Sequence, residues 1–296
     1  IDIFLLGASE ATPSSGASSR VKEIYESKGW PRRSMLGSNP PEHKKYRNIA
    51  DPFFTPFGSE KQRPMITRIV NELLDDMQPA GFSEFVKDFA TPLPVRVITL
   101  MMGFDEQDIP ALREYSHAWV LPFRGGLTPE EETWAGEKGV EFQHYIHRHM
   151  EEKRRKPDDS IISYFVNEAR FDGERPLTDT EIINMVDHLY IGGNETTTFA
   201  LTSGLWLALS HPEAHQAMLA DPSKVKNFVE ENLRCESPTM GMVRHAAVDT
   251  EIAGVRIPKG ASLHLRYAAG NRDERMFECP AKFDIERRNA PRHMAF

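Results

Sequence analysis

The stretch from Leu177 to Ser210 constrains the fold most, because it is the longest uninterrupted helical pattern in the chain. No proline lies between these residues, and Thr178 and Glu181 have the spacing of a capping box at its start. A helix of this length would extend roughly 45 Å at about 1.5 Å per residue, enough to cross a whole domain. Apolar residues occur on most of its sides, as is typical of a buried helix. We therefore predict a mainly helical protein packed around one long central helix.

The middle of this stretch is unfavourable for a helix. It reads Gly192-Gly193-Asn194-Glu195-Thr196-Thr197, and two adjacent glycines cost on the order of 2 kcal/mol relative to alanine. One interpretation is that the glycines let a flat or bulky group approach the backbone, while Glu195 and Thr196 turn towards that group. The other is close helix packing, with threonine hydroxyls bonding to the preceding turn. The segment alone leaves both interpretations open.

Composition and charge exclude several classes of protein. The chain has 296 residues, 40% of them hydrophobic and 27% charged, which is typical of a globular protein with one large domain or two ordinary ones. Its net charge of −8 argues against a nucleic-acid surface. No segment has the roughly 18 consecutive apolar residues that a membrane span needs. The two cysteines, Cys235 and Cys279, are too few for a disulfide framework, so we expect a reducing, cytoplasmic location.

Prolines and turn residues divide the remaining chain. Residues 7–40 are rich in Gly, Ser and Pro and predict a long loop with at most short helices. Helical patterns follow at 61–77, 95–103, 128–155, 158–170, 212–220 and 223–236. The period then changes to short alternating segments at 242–247, 251–257 and 262–267, which predict a small antiparallel sheet.

Two pairs of polar residues have the spacing of one helix face. His43 and Arg47 follow two prolines at a helix start and could clamp an anionic group with two donors. An exposed polar face explains them equally well. Glu231 and Arg234 are three apart, which by itself indicates only a surface ion pair.

A third group of polar residues resembles a metal site. It consists of His144, His147 and His149 with Glu141 and Glu151. Imidazole and carboxylate ligands would suit a divalent metal. The segment is also strongly charged, so we interpret it as a solvated helix face and keep a His/Glu metalloprotein as a competing hypothesis.

The motifs taken in chain order resemble the cytochrome P450 family, specifically its soluble bacterial type. The matching segments are Pro40-Pro41-Glu42-His43 with Arg47, Gly192 to Thr197, Glu231 to Arg234 as E-x-x-R, Arg244, Ala268 to Asp273 as A-A-G-N-R-D, and Phe277 to Arg287. Each motif alone is weak, but the ordered set is highly specific. It covers about residue 30 to the end, and it implies a single P450-like catalytic domain over residues 1–296, mainly helical with a small antiparallel sheet.

The resemblance implies a cofactor, haem b, and roles for named residues. Glu195 and Thr196 would relay protons, and Gly192 and Gly193 would leave room for dioxygen beside the long helix. The haem propionates would be bound by His43, Arg47, Arg244 and His293. Glu231, Arg234 and Arg287 would form a structural network. The activity implied is a monooxygenase acting on a small organic substrate.

One element of the family pattern is absent from these residues. His293-Met294-Ala295-Phe296 matches the opening of the family's cysteine loop, so we expect the cysteine ligand beyond Phe296, no iron ligand in this chain, and a domain incomplete at both ends. No flavin or nicotinamide motif is present, so electrons would come from a ferredoxin and its reductase. The alternative is a non-catalytic helical binding protein or a pseudoenzyme that lacks the cysteine.

Overall fold

A computed structural model describes residues 5–6, 19–32, 38–124 and 126–295. Helices dominate these ranges, as predicted, and none of the helices described there is long and apolar enough to cross a membrane. The α-helices, in chain order, are α1 Ser19–Lys28, α2 Glu42–Ala50, α3 Pro56–Met77, α4 Pro92–Met102, α5 Ile109–Val120, α6 Pro129–Arg155, α7 Ile161–Asn167, α8 Asp179–Gly192, α9 Glu195–Ser210, α10 Pro212–Ala220, α11 Val225–Cys235 and α12 Tyr267–Gly270.

The predicted central helix is in fact two helices, so the prediction of one continuous helix is wrong. The capping box is confirmed: the Thr178 hydroxyl accepts the Glu181 N–H, and the Glu181 carboxylate accepts the Thr178 N–H. Helix α8 then ends at Gly192, and α9 begins at Glu195. Asn194, the N-cap residue of α9, has φ −90° and ψ −78° and forms no side-chain cap hydrogen bond. The interruption falls at the glycine pair, where the helix propensity is lowest.

The two halves also differ in burial. Most of α8 is buried, as predicted. In α9 the prediction of burial on most sides is wrong, because Phe199, Trp206 and Leu209 are more than half exposed. The longest helix of the described ranges is α6, with 27 residues and its own capping box at Thr128 and Glu131.

Three small antiparallel β-structures complete the fold. Strand β1 (Leu5–Leu6) pairs with β4 (Met242–Ala246), and β4 pairs with β7 (Ser262–Leu265). Strands β2 (Arg170–Phe171) and β3 (Arg175–Pro176) form one hairpin, and β5 (Thr250–Ile252) and β6 (Val255–Ile257) form another.

The strand predicted over 251–257 is therefore wrong. Ala253 and Gly254 have positive φ angles of 50° and 80° and turn the chain back on itself. Two consecutive residues of this kind form the tight turn typical of a two-residue hairpin. Within the predicted loop 7–40, residues 19–28 form the ten-residue helix α1, while residues 7–18 lie outside the described ranges.

The buried hydrophobic residues of the described ranges form four clusters, of which the largest and the one built on α9, α10 and α11 are called here the large part and the small part of the core. The large part joins α4, α5, α6, α7 and α8 through a cluster of aliphatic and aromatic side chains that includes Met102, Phe142, Ile146 and Tyr190. The small part joins α9, α10 and α11 to the irregular segment near Phe283. The interruption between α8 and α9 therefore lies where the two parts of the core meet.

Candidate active site

The two glycines at the α8–α9 junction have different surroundings. A Cβ atom added to Gly192 would have no heavy atom within 4 Å, so this side of the backbone faces open space. A Cβ on Gly193 would lie 3.2 Å from the Ile98 side chain and 3.3 Å from the Leu189 carbonyl oxygen. The two sequence interpretations therefore each apply to one glycine: Gly192 leaves room for a group, and Gly193 allows close helix packing.

The predicted proton-relay residues lie in the first turn of α9. Thr196 Oγ1 donates a hydrogen bond of 2.7 Å to the Gly192 carbonyl oxygen, which fixes the hydroxyl next to the open side of that glycine. Glu195 is exposed. Thr198 Oγ1 bonds back to the Asn194 carbonyl oxygen at 3.1 Å, so threonine hydroxyls do bond to the preceding turn.

The four predicted propionate ligands lie on separate elements. His43 is partly exposed on α2, and Arg47 on the same helix is exposed, with its guanidinium 3.0 Å from Asp51 Oδ1. Arg244 in β4 donates to the carbonyl oxygen of its neighbour. The His293 side chain is 5% exposed, with Nε2 3.2 Å from Glu230 Oε2. An anion would therefore compete with a carboxylate at Arg47 and at His293, and the structure does not join the four side chains through a shared contact.

Glu231, Arg234 and Arg287, in contrast, form one buried network. Both guanidiniums reach the Glu231 carboxylate, which is fully buried: Arg234 Nε lies 2.7 Å from Oε2, and Arg287 Nε lies 3.0 Å from Oε1. The prediction from spacing alone, a surface ion pair, is wrong because both residues of the pair have 0% exposure.

Arg234 also holds the irregular segment that follows α12. Its Nη1 donates to the carbonyl oxygens of Asn271 and Pro280 at 2.9 and 2.8 Å, and Nη2 donates to that of Lys282 at 3.1 Å. Sequence reasoning did not name Asn271 as a site residue. This buried side chain bonds to Ser237 Oγ at 2.8 Å and accepts the Met294 N–H at 2.7 Å. The only signal for it was its position in the A-A-G-N-R-D motif.

The histidine-rich part of α6 is not a uniformly solvated face, so that interpretation is wrong for His149, which is 6% exposed. His149 packs against Phe104 and Tyr145, with ring centroids 5.0 and 4.5 Å apart. A ring nitrogen of His149 lies within 4.8 Å of carboxylate oxygens of Asp105 and Asp108.

A second group of possible metal ligands contains His147, Glu151 and Asp179. Arg154 already pairs with both of its carboxylates. His144 bonds to the Lys28 carbonyl oxygen at 2.8 Å. The predicted His144–His147 face is therefore occupied by contacts within the protein.

Comparison with known proteins identifies the family. The model of the family described as Cytochrome P450 matches residues 116–292. The chain belongs to the cytochrome P450 family. This P450 chain is 33% identical over 254 residues to cytochrome P450 CYP107DY1 of Priestia megaterium, which covers 86% of the chain and 61% of the relative. It is 32% identical over 262 residues to the biotin biosynthesis cytochrome P450 of Bacillus subtilis, covering 88% and 65%.

Solved structures agree with this assignment. P450BioI, in complex with hexadec-9Z-enoic acid ligated acyl carrier protein, has a TM-score of 0.84 and 30% identity, covering 96% of this chain and 71% of that one. Cytochrome P450 CREJ, in complex with (4-ethylphenyl) dihydrogen phosphate, has a TM-score of 0.85 and 30% identity, covering 94% and 70%. The chain spans less than two thirds of the length of the curated relatives named above.

The family implies a haem cofactor, and the structure has features that such a group could use. The open side of Gly192 leaves space, and the side chains of His43, Arg47 and Arg244 are hydrogen-bond donors of the kind that carboxylates accept. The two cysteines have different surroundings, since Cys235 is buried and Cys279 is exposed. Burial raises the pKa of the Cys235 thiol to about 11, which keeps it protonated, and Arg234 contacts its sulfur. The carbonyl oxygen of Cys279 accepts a hydrogen bond from Arg287, which places that residue at the buried network.

Proposed function

We propose that this P450 chain is part of a haem-thiolate monooxygenase that inserts one oxygen atom of O2 into a small organic substrate. The observation that carries the proposal is the α8–α9 junction, where Gly192 opens on one side and Thr196 donates its hydroxyl to the Gly192 carbonyl. Bound haem supplies the activation of dioxygen, with a cysteine thiolate favouring O–O cleavage.

The residues of this chain bind, orient and move protons. Thr196 Oγ1 donates a hydrogen bond to the Gly192 carbonyl and can accept one from a water molecule, while Glu195, exposed one residue earlier, exchanges protons with solvent. His43, Arg47, Arg244 and His293 bind the propionates, once Asp51 and Glu230 give up their pairs with Arg47 and His293. Glu231, Arg234 and Arg287 hold residues 271–287 in place.

The partners and location follow from the same proposal. Electrons come from a ferredoxin and its reductase, because the sequence contains no flavin or nicotinamide motif. We place the enzyme in the cytoplasm, with no role for nucleic acid or membrane.

The test is the reduced carbon-monoxide difference spectrum of the protein as its gene encodes it. A band at the thiolate-ligated position, with one haem per chain, is the expected result. A protein that folds but takes up no haem would instead be the non-catalytic binding protein. Replacing both His144 and His147 by alanine should leave the metal content unchanged, because their rings contact Trp30 and the Lys28 carbonyl.

A further inference from the structure

A charged cluster lies on α8 before the glycine pair. Asp187 is buried, and its Oδ2 accepts a hydrogen bond of 2.9 Å from Trp119 Nε1, in the last turn of α5. Arg32 Nη2 lies 3.9 Å from the same oxygen. One turn earlier, Asn184 donates to the Pro31 carbonyl oxygen at 3.1 Å. Three separate segments of the chain therefore meet over the second half of α8.

This cluster lies on the same helix as Gly192, one to two turns before it. Asp187 precedes Gly192 by five residues, about 7.5 Å along a helix axis. His188 lies one turn before Gly192 on the same helix face, and its ring contacts Trp119 edge to face, with centroids 5.5 Å apart. Trp119 thus contacts both Asp187 and His188, and His188 shares the helix face of Gly192.

Arg32 is the side chain of this cluster that is accessible to a ligand. Its guanidinium lies between two aromatic rings, 5.3 Å from the centroid of Tyr25 and 5.1 Å from that of Trp119, which holds the planar group in one orientation. The Arg32 side chain is 26% exposed, whereas that of Asp187 is 8% exposed. The distance of 3.9 Å to Asp187 is too long for a hydrogen bond, so the carboxylate neutralises part of the charge without occupying the N–H groups through hydrogen bonds.

We propose that Arg32 binds the carboxylate of an organic-acid substrate whose apolar body extends along α8 towards Gly192. A guanidinium that is not hydrogen-bonded to its buried counter-ion, and that bonds to Tyr25 on one side, still has N–H groups to offer to the two oxygens of a carboxylate. The inference rests on the proposed function, since it names the substrate class of the same site. It assigns Arg32 a role in specificity and makes Asp187 a counter-ion that partly neutralises Arg32.

The test compares acids with their neutral amides, which have the same shape. Equilibrium dialysis without a reductant measures the dissociation constants of 4-propylbenzoate, 4-butylbenzoate and decanoate and of the three corresponding amides. At least one acid should bind about tenfold or more tightly than its amide, as expected for a charge-assisted hydrogen bond. If none of the acids binds more tightly than its amide, the proposal is overturned.

Variants separate recognition from structure. R32Q should abolish the preference for the acid and leave amide affinity unchanged, while R63Q, which removes an exposed arginine paired with Glu60, should keep the preference. D187N should strengthen acid binding several-fold, because it removes the partial neutralisation of Arg32. Equal weakening of acid and amide in R32Q, or weaker acid binding in a folded D187N protein, would show that the cluster is only structural. Because no turnover is measured, a missing carbon-monoxide band would overturn the proposed function without deciding this result.

Discussion

At the scale of single residues, Glu231 shows how many groups one buried carboxylate can bind. It is fully buried between two guanidiniums, and it also accepts the Asp284 N–H at 3.0 Å. Removing one partner of a buried ion pair costs about 3–5 kcal/mol, because an uncompensated charge stays in the interior.

We therefore expect E231Q to lower the free energy of unfolding by about that amount, measured from the urea midpoint by circular dichroism. E60Q is the matched control, since Glu60 forms a surface pair with Arg63 in which both side chains are more than half exposed. Equal stability losses in the two variants would contradict the buried-network interpretation.

Thr196 and Thr197 are neighbouring residues with different surroundings. Thr196 donates to the Gly192 carbonyl, whereas Thr197 is exposed on the next position of α9. In the intact enzyme T196A should still bind substrate, but more of the reducing equivalents should appear as hydrogen peroxide. T197A should direct the same share of reducing equivalents into product as the unmodified protein. Product and peroxide are measured per NADH consumed, and unchanged coupling in T196A would show that the relay assignment is wrong.

The residues themselves were partly predictable. The spacing of Glu231 and Arg234 places them on one helix face, but their burial depends on carbonyl groups at Asn271, Pro280 and Lys282, between 37 and 48 residues away from Arg234 in the chain. Such contacts leave no periodic signal in a sequence, and only the family resemblance indicated them. The burial of His149 was missed for the same reason, because Phe104 covers it from another element.

At the scale of elements, the start of α8 carries a pH-dependent interaction. Burial alone would raise the pKa of Glu181, but hydrogen bonds from Arg175 and Thr178 lower it from 4.5 to about 2. A carboxyl group with a lowered pKa stabilises the folded state above its unfolded pKa, and this contribution is lost as the pH falls through the folded value.

E181Q should therefore be less stable than the unmodified protein at pH 6, and the difference should shrink between about pH 4.5 and pH 2. The difference in the free energy of unfolding is measured by urea unfolding at pH 6, 4, 3 and 2. E130Q is the control, because Glu130 is an exposed residue in the first turn of α6. A constant difference between E181Q and the unmodified protein over this range would contradict the assignment.

The packing of α1 on α6 depends on one glycine. A Cβ on Gly139 would lie 1.6 Å from the Tyr25 hydroxyl oxygen, whereas one on Gly136 would lie 3.0 Å from the end of the Ile24 side chain. We expect G139A to lower the melting temperature by several degrees, because Tyr25 must move away from α6. G136A should have a much smaller effect, since Ile24 can adjust and alanine favours a helix. The same loss in both variants would argue against a specific contact at Gly139.

The elements were predicted unevenly. The capping residues Thr178 and Glu181 marked the start of α8 correctly, because a cap is a local interaction. The break before Glu195 was not predicted as an end of the helix, although the weakness of Gly192 and Gly193 was visible. Glycine lowers helix propensity without deciding whether the helix bends or stops, and here the Asn194 side chain bonds to Ser116 on α5.

At the scale of the whole molecule, the helical fold class and the small antiparallel sheet were predictable from the periods of the sequence. The division of the core was not. It results from the way α9 leaves the large cluster and packs with α11 and Phe283, contacts that join distant parts of the chain. The position of Arg32 over α8 was equally invisible, because no local pattern joins it to Asp187.

The Arg234 hydrogen bonds to Asn271, Pro280 and Lys282 have a consequence for the order of folding. The irregular chain that follows α12, from Asn271 to Lys282, belongs to no helix or strand. Arg234 can bind it only after loops of 37 to 48 residues have closed. These bonds should then form after the transition state, so R234K should accelerate unfolding while leaving the refolding rate nearly unchanged. The network would thus act mainly on the lifetime of the folded protein.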